Sequence, residues 1–107
     1  MSAAKIRELN DRFRSTMTGG RVMLSAGVDA LPSDVKAMVI RQVATFVDFT
    51  PDNDPHGEHD FRNFEVAGHK FFWKIDYYDA AMEFGSEDPA DPAVTTRVLT
   101  IMLASEY

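Results

Sequence analysis

Ile6, Leu9, Phe13 and Met17 recur at spacings of three and four through an otherwise charged segment, which predicts one apolar stripe of an amphipathic helix over residues 2–17. Gly19-Gly20 ends it. The short apolar run Arg21-Val22-Met23-Leu24-Ser25 that follows reads as a buried strand. Leu31-Pro32-Ser33-Asp34 then supplies a helix start with Ser33 as its cap, and Val35, Met38, Val39, Val43 and Phe46 form a second stripe. From Phe61 the period shortens to two. Residues 61–66 and 69–78 flank Ala67-Gly68, a two-residue connection of the kind a tight hairpin needs. Along the second strand Phe71, Trp73, Ile75 and Tyr77 share a face expected to meet the helices, while Phe72, Lys74, Asp76 and Tyr78 share the other. Trp73 therefore reads as core. Residues 79–84 read as a third strand, and Asp91-Pro92 as the cap and first turn of a final helix carrying Val94, Val98, Leu99, Ile101, Met102 and Leu103.

The resulting order, α-β-α-β-β-β-α, predicts an α+β fold: a two-layer sandwich with helices on one face of a mainly antiparallel sheet. The pattern leaves the strand order open, including a parallel pairing of the first strand at either edge. With 107 residues, 45% hydrophobic and 26% charged, the chain reads as a single domain over residues 1–107 that buries roughly two-thirds of its unfolded surface. The absence of cysteine excludes disulfides, iron–sulfur clusters and thiolate chemistry. Neither a signal-peptide core nor a run of roughly 18 apolar residues is present, so a cytoplasmic protein without a membrane association is expected.

Charge sharpens the picture because it is uneven. Residues 1–47 hold seven basic and four acidic residues, residues 48–91 hold three basic and twelve acidic, and residues 92–107 hold one of each. The acidic middle repels phosphates and attracts basic surfaces, so a basic protein partner is expected and direct nucleic-acid binding is not. A homodimer joining the basic first helix to the acidic middle is the other way to use the asymmetry.

The densest chemistry lies in Thr50-Pro-Asp-Asn-Asp-Pro-His-Gly-Glu-His-Asp60, a loop with four carboxylates and two imidazoles. Asp52, Asp54, His56, Glu58, His59 and Asp60, joined by Asp76 and Asp79, are the candidate binding residues. His56, His59 and Asp60 have the ligand types zinc prefers, but the two histidines are three apart and flanked by Pro55 and Gly57, unlike a His-Glu-x-x-His helix. A calcium loop is excluded by His56 at its fifth position and Asn63 at its twelfth. No metal or other cofactor is assigned; the loop reads as one ordered by Asx-turns. Lys74 and Asp76, two apart on one strand face, read first as a salt bridge between aromatic neighbours. An enzyme reading, a small metal-dependent or acid–base hydrolase, would draw His56, Glu58, His59, Asp60, Lys74 and Asp76 into one concave pocket.

Three passages carry a resemblance: Thr50–Phe61, Phe71-Phe-Trp-Lys-Ile-Asp-Tyr-Tyr-Asp79, and Asp88-Pro-Ala-Asp-Pro through Arg97-Val-Leu-Thr-Ile-Met-Leu103, with Ile6–Asn10 and Thr18–Val22 also fitting. Together they resemble a small bacterial family classed only as a domain of unknown function and found largely in plasmids, prophages and other mobile elements. Arg62 departs from it, standing where a glycine is expected after the phenylalanine. The resemblance implies no catalytic residues. It implies the setting of mobile-element accessory factors, acidic proteins that block host defence machinery in the manner of anti-restriction or anti-CRISPR inhibitors. The expected function is therefore non-enzymatic binding of a basic partner.

Overall fold

The computed structural model of the chain describes residues 2–107. Its elements are α1 (Ala3–Thr16), β1 (Arg21–Leu24), the one-turn α2 (Ala26–Asp29), α3 (Ser33–Thr45), β2 (Phe61–Val66), β3 (His69–Tyr78), β4 (Thr96–Leu103) and a closing 3-10 turn, Ala104–Glu106. The strands form one mixed sheet in the order β1-β4-β3-β2, with β1 parallel to β4 and the other pairs antiparallel. The fold is α+β.

The first helix follows its apolar stripe. Ser2 Oγ caps it by accepting from the Lys5 amide at 3.2 Å, and Met17 ends it in the left-handed region at φ 57°. Ile6 and Phe13 are buried while Leu9 and Met17 are half-buried. Gly20 is required where the chain enters β1, because a Cβ there would lie 2.5 Å from the Arg97 carbonyl oxygen and 2.8 Å from the Phe13 ring. The hairpin turns at Ala67 and Gly68, both with positive φ (52° and 79°), the geometry whose twist suits two adjoining strands.

Phe71, Trp73 and Ile75 share one face of β3 and pack in a single core with Phe13 of α1, Val28 of α2, Val39 and Val43 of α3, Phe64 and Val66 of β2, and Leu99 and Ile101 of β4. On the opposite face Phe72 stacks with Phe61 at 5.4 Å between ring centroids, Tyr107 lies 5.1 Å from Phe72, and Lys74 pairs with Asp76. Trp73 is fully buried, as its place in the alternation predicts.

Two expected elements are absent, one residue has a different role, and β1, expected as a buried strand, is an edge strand whose Arg21, Val22 and Met23 are exposed. The helix expected from Asp91 is not formed: Asp91 Oδ1 instead accepts from the Ala93 amide in an Asx-turn, and Thr96–Leu103 is a strand paired on both sides. Residues 79–84, expected as a third strand, close on themselves with the Asp79 amide donating to the Phe84 carbonyl at 2.8 Å. The place beside β3 is occupied by β4, so that segment has no strand to pair with. The observed order is thus α-β-α-α-β-β-β. Ser33, expected as a cap, is the first helical residue of α3; Pro32 holds the cap position without a side-chain bond. Ser25 leaves the strand and caps α2, where Glu106 clamps the junction by accepting from Ser25 Oγ at 2.6 Å and from the Gly27 and Leu103 amides.

Candidate functional site

The loop between α3 and β2 is ordered by its own side chains. Asn53 Oδ1 accepts from the Thr50 amide at 2.9 Å while Thr50 Oγ1 accepts from the Asn53 amide, and Asn53 Nδ2 donates to the Asp48 carbonyl. Gly57, at φ 68°, closes the next turn by donating to the Asp54 carbonyl. Arg62 fastens the same loop from β2, donating from Nη1 to the Asn53 carbonyl and lying over the Phe46 ring.

His59 pins this loop to α1. Its ring stacks on Phe49 at 3.7 Å and 6°, Nδ1 lies 2.8 Å from Asp11 Oδ1, and Nε2 lies 3.4 Å from Asp54 Oδ2. Asp11 also receives Arg14 Nη2 at 3.1 Å. Arg14 is buried, its Nη1 donates to the Val43 and Phe46 carbonyls, and its guanidinium lies 4.8 Å over Trp73. A cation from one helix thereby satisfies the last-turn carbonyls of another, where the helix dipole favours positive charge.

A second network lies beside the first. Asn10, fully buried on α1, donates from Nδ2 to the Glu58 carbonyl at 2.9 Å and to Tyr77 Oη at 2.7 Å, and its Oδ1 accepts from Arg97 Nε at 2.8 Å. The Tyr77 hydroxyl donates to Asp60 Oδ2 at 3.2 Å, and Arg97 donates to the Pro89 carbonyl. Both donors of Asn10 are used. One buried amide therefore holds the 56–60 turn, and through Arg97 the 86–91 segment as well.

The predicted residues separate into groups. His59, Asp54 and Asp60 are engaged internally; His56 and Asp52 are exposed; Asp79 Oδ1 caps its own turn by accepting from the Glu83 amide. Lys74 and Asp76 form an ion pair of 2.9 Å, which raises the Lys74 pKa, on the sheet face opposite Trp73. Strand alternation thus sets them on the other face of β3 from Tyr77, which meets Asp60. Among the described residues no three His, Cys, Asp or Glu side chains converge on a metal position: Asp11 and Asp54 approach different nitrogens of His59, and Asp60 turns to Tyr77. Neither Asn10, Asp11 and Arg14 nor Arg97 was singled out from the sequence. The available signal was the polar stripe Arg7-Asn10-Asp11-Arg14, at helical spacing beside the apolar one.

Burial raises the Asp60 pKa, with the Tyr77 hydrogen bond opposing it, and burial followed by the nearby Asp60 charge raises that of Glu58. Tyr77 is raised too, chiefly by burial. A carboxyl whose pKa is higher folded than unfolded stabilises the fold while protonated and loses that contribution as pH rises through the folded value. At neutral pH the ionised Asp60 is a liability. Asp60→Asn, which keeps an acceptor for Tyr77, is expected to raise the melting temperature at pH 7, with the advantage vanishing below the ordinary aspartate value of about 3.9. Thermal melts of both proteins from pH 3 to 8 test this, and equal melting temperatures at pH 7 would contradict it.

Among the described residues no helix is long and apolar enough to cross a membrane. No curated protein and no solved structure matches the chain. A family match does cover residues 24–106, from the end of β1 to the last turn, and so leaves out α1, which supplies Asn10, Asp11 and Arg14. On that match the chain belongs to the family described as Protein of unknown function (DUF3768).

Proposed function

We propose that this protein is a non-enzymatic binding protein whose acidic loops engage a basic protein surface. The observation that carries this reading is the state of the 79–91 loop: among the described residues none of its five carboxylates, Asp79, Glu83, Glu87, Asp88 and Asp91, is in an ion pair, and residues 75–96 contain no Lys, Arg or His. The loop is tied to the Asn10–Arg97 network that also holds the 56–60 turn, so its charge is presented on a fixed frame. Fixed, unneutralised charge of one sign accelerates encounter with a surface of the opposite sign.

The finer reading is a cytoplasmic accessory factor of a mobile element that inhibits host nucleic-acid-handling or defence machinery, of the anti-restriction or anti-CRISPR kind. It is supported by the acidity of the middle segment and by the resemblance of the three passages described above. Homodimerisation is less favoured, because Arg7 and Arg14 of α1 already serve the acidic half of the same chain: Arg7 donates to the Gly57 carbonyl at 3.0 Å, and Arg14 braces Asp11 beneath His59.

Salt is the direct probe. With a basic partner, association is expected to slow markedly between about 0.05 and 0.5 M salt, as the screening length falls from roughly 14 to 4 Å. Reversal of exposed charges, Asp52→Lys with Glu87→Lys, is expected to lower the association rate by about tenfold at low salt without unfolding the domain. Asp54 is unsuitable for this purpose because it holds His59. Asp34→Lys, in the first turn of α3, serves as the control and should leave the rate unchanged. Stopped-flow association showing equal effects at both sites, or tight binding of the protein to duplex DNA, would refute the acidic-surface reading.

A further inference from the structure

The loop that carries these five unpaired carboxylates also carries an unburied phenyl ring. Phe84 is 71% exposed and Val94 43% exposed. Together they line a groove of ≈ 460 Å³ with Asp79, Glu87 and Asp88 beside them. The ring is not exposed through slack chain. The Asp79 amide donates to the Phe84 carbonyl at 2.8 Å, the Ser86 amide to the Tyr77 carbonyl at 3.1 Å, and Gly85 bridges to Tyr78. Asp79 Oδ1 accepts from the Glu83 amide at 3.0 Å and fixes the turn that presents the ring. An ordered loop that holds an aromatic side chain out into water loses the stabilisation that burial of the ring would give, and an aromatic anchor ringed by polar groups is the usual composition of an interface centre.

We infer that Phe84 and Val94 form the apolar anchor of an interface, and that its occupant is a segment of a basic protein presenting an apolar side chain between lysines or arginines. The inference rests on the acidic-surface reading and adds to it the place and the apolar chemistry of the contact. Charge decides among occupants. Nucleic acid and anionic membranes are repelled by the surrounding carboxylates, and a second copy would set the same five carboxylates against their own equivalents. A cationic segment with one apolar residue satisfies both halves of the groove.

The test uses the full chain and two synthetic peptides of equal positive charge, one alternating lysine with leucine and the other with every leucine replaced by serine. Titrations at low salt are followed by NMR shifts of backbone amides and the Val94 methyls. The leucine peptide is expected to bind about tenfold more tightly, with the largest shifts at Phe84 and Val94, and Phe84→Ala should bring the two peptides within about twofold of each other. Phe84→Leu should retain the preference. Because the ring is exposed, circular dichroism of both variants should match the parent. Equal binding of the two peptides, or a preference that survives Phe84→Ala, overturns the anchor and leaves the acidic-surface reading standing. Absence of binding by either peptide overturns both. A concentration-dependent dimer abolished by Phe84→Ala would make a second copy the occupant and overturn the inference in that form.

Discussion

Trp73→Ala is expected to lower the free energy of unfolding by about 3–5 kcal/mol, a large share of the stability of a domain this size. The indole is fully buried, with the Phe46 and Phe49 rings edge-on to it at 6.1 Å each and the Arg14 guanidinium over its face. Truncation would empty the space between β3 and the end of α3 and leave Arg14 with Phe49 alone of the two rings it lies over. Its effect should reach the acidic loop, because Phe49 is the surface on which His59 stacks. Trp73→Phe should cost less, since the indole Nε1 has no acceptor among the described residues and its removal forfeits no hydrogen bond. Urea denaturation measures both; a near-neutral Trp73→Ala would place the indole outside the core.

Asn10→Ala is the second large effect expected, about 3 kcal/mol or more, for a different reason. The lost volume is small, but the Glu58 carbonyl, the Tyr77 hydroxyl and Arg97 Nε each lose a partner, and a buried polar group left unpaired costs about 1–3 kcal/mol. The three losses are coupled through one amide. Combined with Tyr77→Phe, the double variant should therefore be less destabilised than the sum of the singles by at least about 0.5 kcal/mol, whereas independent sites would add. Hydrogen exchange should quicken in residues 56–60 and 86–91 together, because the Asn10–Arg97 pair fastens both. Faster exchange in only one of the two segments would show that they are held separately.

Where a local signal and the final packing agreed, the elements were readable from the chain. The stripe of α1, the stripe of α3 and the hairpin around Ala67-Gly68 each bury one face, so their period survives in the sequence. β4 shows no such period. Val98 on one face is buried along with Leu99 and Ile101 on the other, and the near-continuous apolar run Val98-Leu99-Thr100-Ile101-Met102-Leu103 does not distinguish strand from helix. The β-branched residues Thr95, Thr96, Val98, Thr100 and Ile101 suit a strand, and the helix-start pattern at Asp91-Pro92 forms an Asx-turn instead of a cap. The candidate site divides in the same way. Composition marked the 50–60 loop as structured, but its partners on α1 lie 48 residues away and Arg97 bonds Asn10 across 87, distances at which no local pattern reports a contact. Buried Asn10 and Arg14 looked like solvent-facing helix residues because their burial depends on acceptors the rest of the chain provides.

The position of β4 between β1 and β3 also sets an order of events during synthesis. A ribosome makes β1, the three helices and the β2–β3 hairpin before the strand that joins them, so until residues 96–103 emerge β3 presents a free edge and β1 has nothing to pair with. Closure then links Arg21 to Val98 across most of the chain, a high-contact-order step and so a slow one. A nascent chain stalled before Thr96 holds a half-sheet with Phe71, Trp73 and Ile75 lacking their β4 cover, the state in which edge-to-edge aggregation and chaperone capture compete with folding.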